Sequence, residues 1–132
     1  MKAPFKSLAD SITVKLQGLF GSNEIKADFN LEERANSFSF GIIRDDMGYI
    51  EFDMLSSGEK CLYTLALVLS LVEMSSADLK LLLVDDLLDH LDSVKIQAVF
   101  QTLYDSNGAQ IILAGVQQCK HPAAESIVIS LM

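Results

Sequence analysis

The chain is poor in the features that would define several classes of protein. It has only two cysteines, Cys61 and Cys119, and no C-x-x-C pair. That excludes a disulfide framework and a zinc site of the usual spacing. No apolar run approaches the ~20 residues of a membrane span, and the opening MKAPFKSLAD lacks the apolar core of a signal peptide. These absences lead us to expect a soluble, intracellular protein with no membrane partner. Basic residues are scarce, 10 against 18 acidic ones, for a net charge of −8. Such a balance opposes a broad grip on nucleic acid by this piece alone. None of the seven glycines begins the pattern G-x-x-x-x-G-K-[ST], so the chain carries no phosphate-cradling loop of its own. Repeats, linkers and low-complexity tracts are also missing.

What the sequence does contain is centred on residues 54–92, MLSSGEKCLYTLALVLSLVEMSSADLKLLLVDDLLDHLD. Ser56 and Glu59 stand in the S-x-x-E spacing of a capping box. Gly58 lets the backbone approach a neighbour closely and tolerates dihedrals that a side chain resists. The following helix carries Leu62, Leu65, Ala66, Leu67, Val68, Leu69, Leu71 and Val72, apolar almost all round, which predicts burial. A buried helix with an exposed, glycine-containing start favours an anion. An ordinary capped core helix has the same residues.

Residues 79–84, LKLLLV, read as a strand covered on both faces, as in parallel sheets. Ligands in such sheets sit beyond the carboxyl ends of the strands, where Asp85 and Asp86 fall. Two adjacent carboxylates suit magnesium with phosphates, which takes carboxylate ligands, often through water. They equally suit a solvated helix cap. His90 and His121 lack ligand-like spacing, and Cys61 reads as a small core residue.

Around this centre the chain alternates helix and strand. Phe5, Leu8, Ile12, Leu16, Leu19 and Phe20 form a helical face over residues 3–20, with Gly21 as its stop. A strand is expected over 25–31, then a charged loop. A hairpin follows over 38–52, turning at Asp45-Asp46-Met47-Gly48. Beyond Asp92, a helix over 93–104 is expected, with Ser93 as its cap and Ser106-Asn107-Gly108 as its end. Strands over 110–114 and 127–131 flank a loop over 115–122 and a helical turn over 123–126. The pattern predicts an α/β fold, largely parallel, with flanking helices and an antiparallel hairpin.

The motifs, taken in order, go further. Leu55-Ser56-Ser57-Gly58-Glu59 resembles the LSGGQ signature of ABC-type ATPases, LLLVDD ending at Asp86 resembles their Walker B strand, and Leu91-Asp92 resembles the D-loop. Their order and spacing resemble the SMC (structural maintenance of chromosomes) family and related repair ATPases, over roughly residues 38–132. The resemblance implies the C-terminal lobe of an ATPase head at 21–132, with 1–20 as the helix where a coiled coil enters. It implies ATP and magnesium as cofactors, but only together with an N-terminal lobe carrying the P-loop and with a second head, as a homo- or heterodimer. Ser56, Ser57, Gly58 and Glu59 would face the γ-phosphate held by the opposite head. Asp85 would hold magnesium, Asp86 would be the catalytic base, and Asp92 would contact the other subunit. DNA would be met through the parent complex. Two departures from the pattern point to weak or absent hydrolysis. The family's catalytic glutamate is Asp86 here, one methylene shorter. No histidine follows the strand over 110–114, where Gly115, Val116 and Gln117 stand. A non-catalytic interaction module built on the same lobe is the second reading. A response-regulator-like domain is a third, disfavoured because its acidic pair belongs after the first strand.

Overall fold

The computed structural model describes residues 3–32, 36–106 and 110–115. The helical spacing at the N-terminus closes into α1 (Ala3–Phe20), and its predicted face turns inward: Ile12, Leu16 and Leu19 are buried. Gly21 stops the helix in a left-handed conformation, φ 65°, and the Ser22 N–H donates to the Gln17 carbonyl at 3.2 Å. That is the bond of a Schellman end. Three strands follow as an antiparallel meander, β1 (Ile25–Glu32), β2 (Ser37–Arg44) and β3 (Gly48–Glu51). Phe29 pairs with Phe40, and Ile42 with Ile50. Gly48, at φ 72°, supplies the turn conformation the sequence predicts.

A short 3₁₀ turn (Phe52–Met54) leads into α2 (Ser57–Met74). The parallel pair β4 (Leu81–Asp85) and β5 (Gln110–Ala114) is joined through a second 3₁₀ turn (Leu88–His90) and α3 (Ser93–Asp105). Parallel strands need such a crossover. The architecture is therefore α/β, with an antiparallel meander, a parallel pair and helices against both. α1 packs on β1, α2 and α3, so one core gathers residues from all three helices and the meander.

Two features of that core had no signal in the sequence. One is an aromatic ladder, Phe5–Phe29–Phe38–Phe40–Phe52–Tyr63, with successive ring centroids 5.0–6.1 Å apart, within stacking range. Tyr63 is fully buried at its end, and desolvation pushes its phenol far above the ordinary value. The other is a polar seam between helices. Lys15 pairs with Glu73 at 2.6 Å, the Ser11 hydroxyl donates to Ser70 at 3.0 Å, and Ser106 donates to Glu73 at 3.3 Å.

Several local expectations are corrected. α2 is not apolar-and-buried all round: Leu62, Leu65, Ala66 and Leu69 are buried, whereas Leu71 and Met74 are exposed. β4 starts later than expected and is covered on one face only. Leu82 and Val84 are half-buried, but Leu81 is 52% and Leu83 67% exposed. Alternate side chains of a strand face opposite ways, and among the described residues a helix layer lies on one side alone. The cap of α3 is Asp92 rather than Ser93, and its carboxylate accepts from the Lys95 N–H at 2.9 Å. α3 ends at Asp105 with Ser106 as its C-cap; residues 107–108, the loop with Cys119 and His121, the turn over 123–126 and the strand over 127–131 lie outside the described residues.

Candidate functional site

The Ser56 turn is built as its spacing predicts. Ser56 is the N-cap of α2 in extended conformation, φ −64° and ψ 162°. Its hydroxyl accepts from the Glu59 N–H at 3.3 Å, and Glu59 Oε1 accepts from the Ser56 N–H at 3.2 Å. Both halves of the capping box are present. Ser56 and Ser57 remain exposed at the helix start.

Glu59 has a further partner that the sequence concealed. Its Oε2 accepts from Arg44 Nη2 at the end of β2. Burial alone would raise the Glu59 carboxyl. The bonds from the Ser56 backbone and side chain, and then the Arg44 guanidinium, outweigh it and hold the group below the ordinary value.

Gly58 matters for closeness and not for an unusual dihedral. A Cβ placed there would meet the His90 carbonyl at 3.3 Å and the Leu91 side chain at 3.8 Å. The Ser56 turn and the acidic turn leading to Asp92 therefore pack against each other.

Asp85 is the last residue of β4, beside Ala114 of β5. Asp86 turns the chain out of the sheet. Its N–H donates to the Ala114 carbonyl at 3.3 Å, and its backbone is left-handed, φ 57°. Aspartate tolerates that region better than most residues, which is the one signal its sequence offered. Both carboxylates are exposed, and among the described residues neither has a hydrogen-bond or ion-pair partner. An open groove of about 430 Å³ runs from the first turns of α2, at Lys60 and Thr64, to Val84, Asp85 and Asp86. The predicted residues thus divide into the Ser56–Glu59 turn with Asp92 behind it, and the Asp85–Asp86 corner across the groove.

An exposed carboxylate at a strand end fits an outer ligand of magnesium. Among the described residues no cluster of three or more ligating side chains exists that could hold a metal unaided. No helix among them is long and apolar enough to cross a membrane.

A parallel strand ending in carboxylates thus lies beside a capped helix start and follows an antiparallel meander. No protein-family model and no curated protein matches the chain. Solved structures do, among them heads of SMC ATPases. One, from work on ATP-driven dimerization and DNA-stimulated activation of SMC ATPases, superposes with a TM-score of 0.69 at 21% identity, covering 86% of this chain and 70% of that one. The Smc head of Pyrococcus furiosus, with an extended coiled coil and bound to the C-terminal domain of ScpA, gives 0.67 at 20% identity. There the match covers 86% of this chain and 29% of the other. The Smc head of Pyrococcus yayanosii, with a coiled coil and joint, gives 0.65 at 20% identity over 83% of this chain and 21% of that one. The fold is that of a lobe of an SMC ATPase head, and this chain spans less than a third of the two Pyrococcus chains.

Proposed function

We propose that the chain serves as the C-terminal half of an SMC-like ABC ATPase head and completes an ATP sandwich by dimerisation, with weak or no hydrolysis. The observation that carries this reading is the packing of Gly58 on the His90 carbonyl. It sets the signature-like turn and the D-loop-like turn side by side, as a surface that must meet a second head would require. In this role Ser56, Ser57, Gly58 and Glu59 face a phosphate bound elsewhere, and the free N–H groups and dipole of α2 favour its charge. Asp85 would hold magnesium through water, and Asp92 would meet the other head while also capping α3. A complementary lobe must supply the phosphate cradle, since no P-loop occurs in these 132 residues. DNA would be reached through the parent complex.

The reading is tested with the chain and a lobe carrying the P-loop. Calorimetry should find no micromolar Mg-ATP binding to this chain alone. In the reconstituted head, Ser56→Arg should abolish ATP-driven pairing and leave the fold intact. Undiminished pairing would reduce the turn to an ordinary cap.

Asp86 favours a second reading, a non-catalytic interaction module. A general base must reach the proton it takes, and a misplacement near 1 Å can cost about 10²-fold in rate. Single-turnover hydrolysis by the assembled head should be slow, rise with Asp86→Glu and change little with Asp86→Asn. Fast wild-type turnover abolished by Asp86→Asn would make Asp86 a competent base and remove the module reading.

A further inference from the structure

We propose that Arg44 is a positioning residue that ties the end of α1 to the Ser56 turn, so that the seating of α1 sets the geometry of the helix start. The tie stands on the described contacts; only its consequence for phosphate recognition rests on the function proposed above.

Three elements meet at one guanidinium. Arg44 is the last residue of β2, and its backbone is held at the hairpin mouth, where it pairs with Gly48 and its carbonyl accepts from the Met47 N–H at 3.1 Å. Its side chain lies over the ring of Phe20, 5.7 Å from the centroid, and Phe20 is the last residue of α1. On the other side it donates to Glu59 Oε2. Glu59 then divides its two oxygens, Oε2 to Arg44 and Oε1 to the Ser56 N–H. Arg44 thus orients the carboxylate that closes the capping box.

An exposed ion pair would mean little. This one is sheltered, with the Arg44 and Glu59 side chains 26% and 19% exposed, and a cation over an aromatic face gains as water is excluded. The guanidinium also has somewhere else to go. A cleft of about 290 Å³ opens beside it, bounded by Phe20, Ser22, Glu24, Asp46 and Met47. Glu24 and Asp46 offer alternative carboxylates there. The nearest other cation of the helix start, Lys60, lies instead over the Phe52 ring at 5.9 Å. A shift of α1 that withdraws the Phe20 ring would free Arg44 toward the cleft and leave Glu59 without its orienting partner.

The test uses the whole chain and no nucleotide, so its failure is distinct from a failure of ATP-driven pairing. NMR would follow the titration of the Glu59 carboxyl and the exchange of its amide in wild type, Arg44→Met, Arg44→Lys and Phe20→Leu. Arg44→Met should move the titration up toward the ordinary glutamate value. It should also speed exchange of the Glu59 amide about fivefold, the equivalent of a weakened cap. Arg44→Lys should restore part of the titration shift. Phe20→Leu should move the Glu59 titration the same way by less, because residue 20 acts through Arg44. A wild-type titration in folded Arg44→Met would overturn the role of Arg44. No movement in Phe20→Leu would overturn the link to α1. If Arg44→Met does not fold, Arg44→Lys and Phe20→Leu decide: wild-type titrations in both refute the tie.

Discussion

The half of the molecule made by α1, the meander and α2 treats its apolar residues differently from the half made by β4, α3 and β5. In the first, Ile12, Leu16, Ile42, Leu62 and Leu69 are sealed from solvent. It also holds two sheltered ion pairs, Lys15 with Glu73 and Arg44 with Glu59. In the second, Leu81, Leu83 and Ile112 form an exposed apolar face, and Asp85 and Asp86 have no protein partner among the described residues. Composition does not explain the difference, because LLLV in β4 is as apolar as any stretch of α2. Layers do. α1 packs on β1, α2 and α3 and closes the core of the first half, whereas among the described residues β4 has a helix layer on one face only. The first half is organised to hold the fold, and the second to present surface and charge.

The contrast can be broken or sharpened by substitution. The largest effect belongs to the sealed half. Leu69→Ala removes a fully buried side chain and should cost about 2–5 kcal/mol in chemical denaturation, the transfer loss plus the cavity. A loss under 1 kcal/mol would mean that this half is not the packed core described.

The next effect is electrostatic and depends on pH. The Glu59 carboxyl is held below its ordinary value in the folded chain, so the unfolded chain takes up the proton first as pH falls. Its contribution is therefore complete above the ordinary carboxylate range and lost as pH drops through the folded value. Glu59→Ala should cost about 1 kcal/mol at neutral pH, as the loss of a cap does. Glu59→Gln should flatten this part of the acid limb of stability. Urea melts of the three proteins between pH 3 and 7 test both the sign and the assignment, and parallel pH profiles for wild type and Glu59→Gln would refute them.

The smallest effect belongs to the bare face. Leu83→Ala, at a side chain 67% exposed, should change stability by no more than about 0.5 kcal/mol in the isolated chain. In an assembled head the same change should cost more if another layer covers β4. Equal costs in both settings would leave that face without a partner in the head.

Much of this fold was legible in the sequence. The period of α1, the hairpin with Gly48 and the capping box of Ser56 and Glu59 are each set by residues a few positions apart. The order of the capped turn, the apolar strand and the acidic turn was legible as well, and the fold that results is similar to that of SMC heads. The candidate residues stood out one by one, and their arrangement did not. Gly58 stood out as a glycine, but its reason, the nearby His90 carbonyl, belongs to a later turn. Asp92 stood out as a carboxylate, and the structure adds its role as the cap of α3. Arg44 did not stand out at all, since nothing in a hairpin arginine names a glutamate on another element as its partner.

By itself the sequence determined the local elements. Helical period, strand alternation, turn glycines and caps act over neighbouring residues, and their energies are settled before distant parts of the chain meet. Only the tertiary structure decided which face of β4 is covered, that Arg44 reaches both Phe20 and Glu59, and that Asp86 leaves the sheet in a left-handed turn. Those outcomes depend on which layers stack and how closely two backbones approach. Burial and partner choice are properties of that three-dimensional arrangement, and no short window of sequence contains it.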